Sequence, residues 1–263
     1  MQILKSTKNN LKKILPLYFL LGIVLTFTSC NEKVGEPIRP SISNPNATKI
    51  LPLGASRVEG ARPSYESYRY ELWKLLVDGK KSADFIGTIT DEASYPVYQN
   101  LSFDNNHEGR GGFTSGQILS ALSFGLDEVI AAQGTPEIVL LSSPGGNDGL
   151  QNLSYDDAVR NINEIIDLLQ AKNPNITIII EQMAPPSTNS TNVLKNYLAQ
   201  MNAEVVKIAT AQTTSTSKVI TVDMNTGFTD ALLADQVHYN EAGAKFIAKR
   251  YYAVIKDLVK QAP

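Results

Sequence analysis

The 263-residue sequence contains two histidines, His107 and His238. Any reaction that needs an imidazole base near neutral pH must use one of them, since histidine is the side chain whose ordinary pKa lies in that range. His238 follows Asp235 by three residues, close enough for the carboxylate to reach the imidazole across a turn. A carboxylate on one ring nitrogen fixes the tautomer and leaves the other nitrogen able to take a proton from a serine. Alone, an Asp-x-x-His pair is more often an incidental surface or helix-cap pair. Its meaning comes from three other segments: Gly54-Ala55-Ser56-Arg57, His107-Glu108-Gly109-Arg110-Gly111-Gly112-Phe113-Thr114 and Ser143-Pro144-Gly145-Gly146-Asn147-Asp148. Together they offer a hydroxyl, backbone N–H groups in glycine turns and a side-chain amide, the parts needed for nucleophilic attack on a carbonyl and for holding the resulting oxyanion.

These segments must be brought together by the elements between them. Strand-length apolar runs are predicted at 49–53, 83–89, 137–142, 176–183 and 218–224, and amphipathic helices at 65–78, 114–132, 154–171, 191–210 and 241–259. Thr114 and Ser154 stand as N-caps, and Ser154-Tyr155-Asp156-Asp157 approaches a capping box. The run ITIIIEQM is almost continuously apolar, as in a strand buried on both faces. Strict alternation of strand and helix predicts an α/β fold: a three-layer α/β/α sandwich with a five-stranded parallel sheet. In such sheets chemistry collects beyond the carboxyl ends of the strands, and each polar segment follows a strand or precedes the last helix. No repeat of fixed period is apparent.

The segments resemble the conserved blocks of the SGNH/GDSL hydrolase superfamily, which implies a flavodoxin-like SGNH fold over 48–263. Ser56 matches the block I serine, Gly112 the block II glycine, Asn147 the block III asparagine, and Asp235 with His238 the block V Asp-x-x-His. Finer texture is similar to carbohydrate esterase family three, the acetyl xylan esterase-like group. It lies in Arg62-Pro63, Leu72-Trp73, Asp84-Phe85-Ile86-Gly87, His107-Glu108-Gly109 and Met224-Asn225-Thr226-Gly227-Phe228. One position departs from the pattern: block I usually reads Gly-Asp-Ser, and here residue 55 is alanine. The aspartate is neither nucleophile nor base. Its expected role is to hydrogen-bond across the loop and hold the oxyanion donors, which Ala55 cannot do.

The resemblance implies a serine esterase that removes short acyl groups, acetyl above all, from carbohydrate through an acyl-enzyme. Ser56 attacks, His238 takes its proton, Asp235 orients His238, and the N–H groups of Ser56 and Gly112 with the Asn147 amide form the oxyanion hole. His107 and Arg57 are candidate substrate contacts. Each has a structural alternative: Gly112 and Asn147 as turn residues, His107 as a hydrogen-bonded loop histidine, Arg57 as a rim or structural residue. Asp148 reads as a loop brace, and Tyr65, Tyr68 and Trp73 as core. Two other functions remain open, a lysophospholipase or thioesterase on the same fold and a glycan-binding protein on a weakened hydrolase scaffold. No cofactor is expected. Two separated histidines leave few first-choice ligands for a transition metal, whereas a structural calcium held by oxygens stays open.

Charge and composition narrow the partners. Lys and Arg number 24 against 26 Asp and Glu, a net charge of −2, so no basic excess points to nucleic acid. The lone cysteine, Cys30, rules out a disulfide framework within the chain. It closes a segment with Lys5, Lys8, Lys12 and Lys13 at the start, an apolar run over 14–27 shorter than the roughly 20 residues of a membrane span, and then Thr28-Ser29-Cys30. That arrangement resembles a bacterial lipobox, with Phe27 where Leu or Val is usual. It implies a signal peptide over 1–29, lipidation at Cys30, a Pro- and Ser-containing tether over 30–47, and export across the inner membrane to a lipid-anchored place in the envelope, at the outer membrane. The expected partners are an acetylated poly- or oligosaccharide and the membrane, and the expected state is a monomer.

Overall fold

A computed structural model describes residues 46–263. The expected signal peptide, Cys30 and most of the tether lie outside them. Five strands stand close to the predicted positions: β1 (Thr48–Gly54), β2 (Ala83–Phe85), β5 (Ile138–Leu141), β6 (Thr177–Gln182) and β7 (Lys218–Asp223). Two more, β3 (Ile89–Thr90) and β4 (Asn106–Gly109), extend the predicted five-stranded sheet to seven strands in the order β3-β4-β1-β5-β6-β7, with β2 also on β1. All pairings are parallel except β3 with β4.

The correction at the sheet edge has a local cause. The predicted strand 83–89 leaves β1 after Ile86, whose N–H donates to the Ile50 carbonyl at 2.9 Å. Gly87 then turns away with φ +154°, and a Cβ there would stand 2.2 Å from the His107 carbonyl oxygen. That close approach lets β4 occupy the edge which β2 vacates: β2 pairs with Thr48–Ile50, β4 with Leu53 and Gly54. Gln133 seals the junction, its Oε1 accepting the Gly87 N–H at 3.0 Å and its Nε2 donating to the Gly87 carbonyl at 2.8 Å.

Period-two alternation along the strands divides the core. Val139, Leu141, Ile178 and Ile180 face one side with α3 (Ser115–Gln133), α5 (Tyr155–Lys172) and α6 (Asn192–Gln212). Ile138, Leu140 and Ile179 face the other with α2 (Arg69–Asp78) and α7 (Glu241–Ile255). The expected caps are present: Thr114 forms a capping box with Gln117, and Ser154 Oγ accepts the Asp157 N–H. Two short helices go beyond the predicted set, α1 (Ser56–Glu59) and α4 (Gly146–Leu150). The first comes one residue after β1 and the second after the short loop that follows β5, and both are too short to show helical periodicity. Among the described residues, no helix is long and apolar enough to cross a membrane.

Beside β2, Lys49 Nζ meets Asp84 Oδ2 at 2.5 Å, and Asp104 Oδ2 accepts the Phe85 N–H at 2.6 Å. Burial and the neighbouring Asp84 carboxylate push the Asp104 pKa up to about 7 from its ordinary 3.8. A raised carboxyl pKa gives stability that is fully present below the unfolded value and is lost as pH rises through the folded one. Asp104→Asn removes that titration. The difference in Tm between variant and parent should therefore shift in the variant's favour from about pH 4 to about pH 7 and level off above. Thermal melts of both proteins across that range check it, and a constant difference would show that Asp104 does not titrate this way.

Candidate active site

Ser56 is the first residue of α1, directly after β1, so its backbone N–H has no intrahelical partner. Its Oγ lies 2.9 Å from His238 Nε2, and His238 Nδ1 lies 2.7 Å from Asp235 Oδ2. Asp235 Oδ1 accepts the N–H groups of Val237 and His238, each at 2.8 Å, which folds the 235–238 turn around its own carboxylate. Partial burial works against ionisation of Asp235. The His238 and Val237 N–H groups and the His238 ring outweigh it and hold the pKa below the usual carboxylate range. The chain Asp235–His238–Ser56 is thus arranged to draw a proton from the Ser56 hydroxyl.

Ser56 and Asn147 share a pocket of about 40 Å3, whose other walls include Ala55, Leu150, Met183, Leu198 and Val237. Asn147 lies on α4 and donates from Nδ2 to the Phe113 carbonyl at 2.8 Å; Gln151 Nε2 donates to the Gly112 carbonyl at 3.2 Å. Asp148 Oδ1 and Oδ2 accept the Ser115 hydroxyl and N–H at 2.7 and 2.8 Å, the bracing role expected of it. These bonds lash α4 to the 112–115 segment. Gly112 does not open the helix itself: α3 begins at Ser115, with Thr114 as its cap. Gly112 has φ +77° and open space where a Cβ would stand, so its requirement is conformational rather than steric.

Neither expected substrate contact stands as a free side chain. His107 lies on β4 with no exposed surface. Its Nδ1 accepts the Gly109 N–H at 2.9 Å, and burial, with Arg69 and Arg110 nearby, pushes its pKa down to about 2. It is a neutral core histidine and does not line the Ser56 pocket. Arg57 touches that pocket yet is 7% exposed and committed to the protein. Its Nε donates to the Val237 carbonyl at 2.9 Å, its Nη1 to the Ala184 carbonyl at 3.1 Å, and its guanidinium stands 4.8 Å over the Tyr239 ring. Among the described residues, no group of three or more His, Cys, Asp or Glu is placed to hold a metal ion.

Tyr65 is the residue whose place the sequence reading missed. Tyr68 enters the core as expected, but Tyr65 stacks on the His238 ring at 3.9 Å between centroids and 15° between planes. An antiparallel bridge between Glu66 and Tyr239 keeps this part of the chain out of α2. No helical spacing signals that; the only sequence clue is an aromatic beside Pro63 in a polar stretch. Aromatic pairs contribute about 0.5–1.5 kcal/mol beyond burial, so Tyr65→Ala should lower kcat by about two- to tenfold while Tyr65→Phe keeps it. Steady-state kinetics of both variants on an aryl ester decide it, and equal losses would tie the effect to the hydroxyl instead.

Residues 82–246 match a family model described as GDSL-like Lipase/Acylhydrolase family, a span that begins after Ser56. No curated protein matches the chain by sequence. Among solved structures, the chain is similar to a carbohydrate esterase family 3 protein from Talaromyces cellulolyticus, with 23% identity over 80% of this chain and 97% of that one and a TM-score of 0.66. It is also similar to an acetyl esterase variant crystallised with acetate ion, with 24% identity, 80% and 99% coverage and a TM-score of 0.65. An acetyl xylan esterase from Geobacillus stearothermophilus gives 21% identity, 81% and 96% coverage and a TM-score of 0.53. At these identities the likeness speaks for the fold.

Proposed function

Because the chain belongs to the GDSL-like lipase/acylhydrolase family, we propose that it is a serine carboxylic ester hydrolase in which Ser56 is the nucleophile, His238 the base and Asp235 the group that orients it. Ser56 Oγ attacks the ester carbonyl as His238 Nε2 takes its proton, and the imidazolium returns that proton to the departing alcohol. Water then repeats the sequence on the acyl-enzyme. The oxyanion is held by the Ser56 N–H, the Gly112 N–H and the second N–H of the Asn147 amide, whose first already anchors Phe113. The observation that carries this reading is the unbroken chain of 2.7 and 2.9 Å contacts from Asp235 to Ser56.

The acyl group is short. At roughly 10–15 Å3 for one water-sized group, the pocket of about 40 Å3 beside Ser56 has room for the few heavy atoms of an acetyl. A lysophospholipase or long-chain thioesterase needs a deeper apolar channel than this. The alcohol is a carbohydrate in our reading, supported by the fold shared with a carbohydrate esterase and an acetyl xylan esterase. Export and anchoring through Cys30 belong to the same proposal. They are supported by the basic start, the apolar run and the small residues before that cysteine, and such an anchor would hold the enzyme beside polymeric glycan.

Hydrolysis of 4-nitrophenyl acetate and butyrate by the full chain tests both halves. Ser56→Ala should lower kcat by about 10^3-fold or more. The two extra methylenes of butyrate have to find room among Met183, Leu198 and the other residues that line this small pocket, so kcat/KM should fall by about 10–200-fold from acetate to butyrate. Leu198→Ala should narrow that gap. Turnover that survives Ser56→Ala would remove Ser56 as nucleophile, and equal rates on the two esters would remove the short-acyl assignment.

A further inference from the structure

The alanine at position 55 raises the question of what holds the oxyanion loop. The β1–β5 register pairs Leu53 with Leu141. Just beyond the ends of these strands, position 55 and Ser143, on the loop that carries Asn147, line the same pocket. An aspartate at 55 would face this loop from the β1 side; alanine offers nothing. The loop needs a hold, because Ser143 sits at φ +49°, a left-handed conformation that a residue with a Cβ keeps only where its surroundings enforce it. Its carbonyl accepts the Gly146 N–H at 3.0 Å, which closes the turn that starts α4 and brings Asn147 to Ser56.

The hold comes from the opposite neighbour. Glu181, on β6 and with no exposed surface, accepts the Ser143 N–H on Oε2 at 2.7 Å and lies 3.4 Å from the Ser143 hydroxyl. Its Oε1 accepts the Tyr251 hydroxyl of α7 at 2.7 Å. The same Ser143 hydroxyl is 3.4 Å from Arg57 Nη1, and Arg57 also grips the carbonyl of Val237, the residue before His238. One buried carboxylate and one buried guanidinium thus meet at Ser143, so the oxyanion loop and the His238 turn share an anchor.

We propose that Glu181 is a positioning residue that holds the Ser143–Asn147 loop from β6, in place of the aspartate that the resemblance leads one to expect at position 55. It acts through Ser143 and does not touch the ester. The proposal rests on Ser56 as nucleophile. Loss of turnover in Ser56→Ala tests that premise separately, and the variants below are read only against it.

The test is a double-mutant cycle between positions 55 and 181 in the full chain, with kcat and KM for 4-nitrophenyl acetate and with circular dichroism for folding. Glu181→Met fills the same space but cannot accept the Ser143 N–H as an oxygen does. It should lower kcat by about tenfold or more with KM within about twofold, since a misplaced oxyanion donor weakens the transition state rather than substrate binding. Glu181→Gln keeps an oxygen acceptor and should keep kcat within about threefold. Adding Ala55→Asp to Glu181→Met should recover at least about threefold in kcat, whereas Ala55→Asp alone should give no gain, because Ser143 already has its acceptor. A folded Glu181→Met variant with unchanged kcat would overturn the proposal. So would a gain from Ala55→Asp in the parent as large as in the variant. If Glu181→Met does not fold, Glu181→Ala is read in its place: a fall in kcat of about tenfold or more at a KM within about twofold supports the proposal, and an unchanged kcat in the folded variant overturns it.

Discussion

Ser56 and His238 are 182 positions apart in the chain, and a hydrogen bond of 2.9 Å joins them. Closing that distance falls to the parallel sheet. β1 ends where Ser56 begins α1, β5 ends where the Asn147 loop begins, and β6 lies alongside β5 in register. Strands that run the same way bring their carboxyl ends to one edge, so the pieces of the site meet there without any one loop having to be long. His238 comes from the far end of the chain. Its turn is folded by Asp235, tied to β1's neighbour Arg57 through Val237, and backed by Tyr65 against the ring face. Each of these ties comes from a different segment, which limits how far the imidazole can drift from the serine.

Opposing charge effects meet at the sheet edge. His107 is kept neutral by burial, with its pKa pushed down to about 2, so its contribution is present above the ordinary histidine value near 6.5 and is lost as pH falls toward 2. Asp104 works in reverse and loses its contribution as pH rises through about 7. Both belong to the segment that β4 closes over β1, between the Gly87 turn and the Gly109 pairing with Gly54. Between the ordinary values of the two groups the two slopes oppose one another, so this edge changes stability less across mildly acidic pH than either group alone would make it.

The sequence made the central strands legible because they are buried on both faces: the runs over β5 and β6 have no polar side to hide. The helices were visible from their apolar spacing, α3 and α5 also from their caps Thr114 and Ser154, although α2 begins at Arg69 rather than at 65. β4 was not, since Asn106-His107-Glu108-Gly109 has no apolar residue, and its backbone pairs with β1 while its side chains find polar partners in the interior. The same camouflage explains His107: a histidine among polar neighbours reads as a loop contact, and only the sheet shows that Gly87 and Gly109 pack it inside. The roles proposed for Ser56, Asn147, Asp235 and His238 came from the resemblance of their segments to the SGNH/GDSL blocks, and the contacts from Asp235 through His238 to Ser56 are what the fold adds to it. Arg57 and Tyr65 were not legible, because their roles depend on partners 180 and 173 residues away, Val237 and His238.

Ala55 is best understood by what else its position does. It is 8% exposed and belongs to the same apolar cluster as Leu53, Leu141, Met183 and Leu198, and with Met183 and Leu198 it lines the small pocket beside Ser56. A carboxylate there would place a charge in the wall of this small pocket, and burying an unpaired charge is costly. Glu181 sits on the other side of the Ser143 loop, where Tyr251 satisfies one oxygen and Ser143 the other. With the acceptor on β6 rather than at position 55, the loop is held and this part of the pocket wall stays apolar. The alanine therefore does not by itself mark a decayed site: the polar work and the apolar work of this corner are divided between two strands.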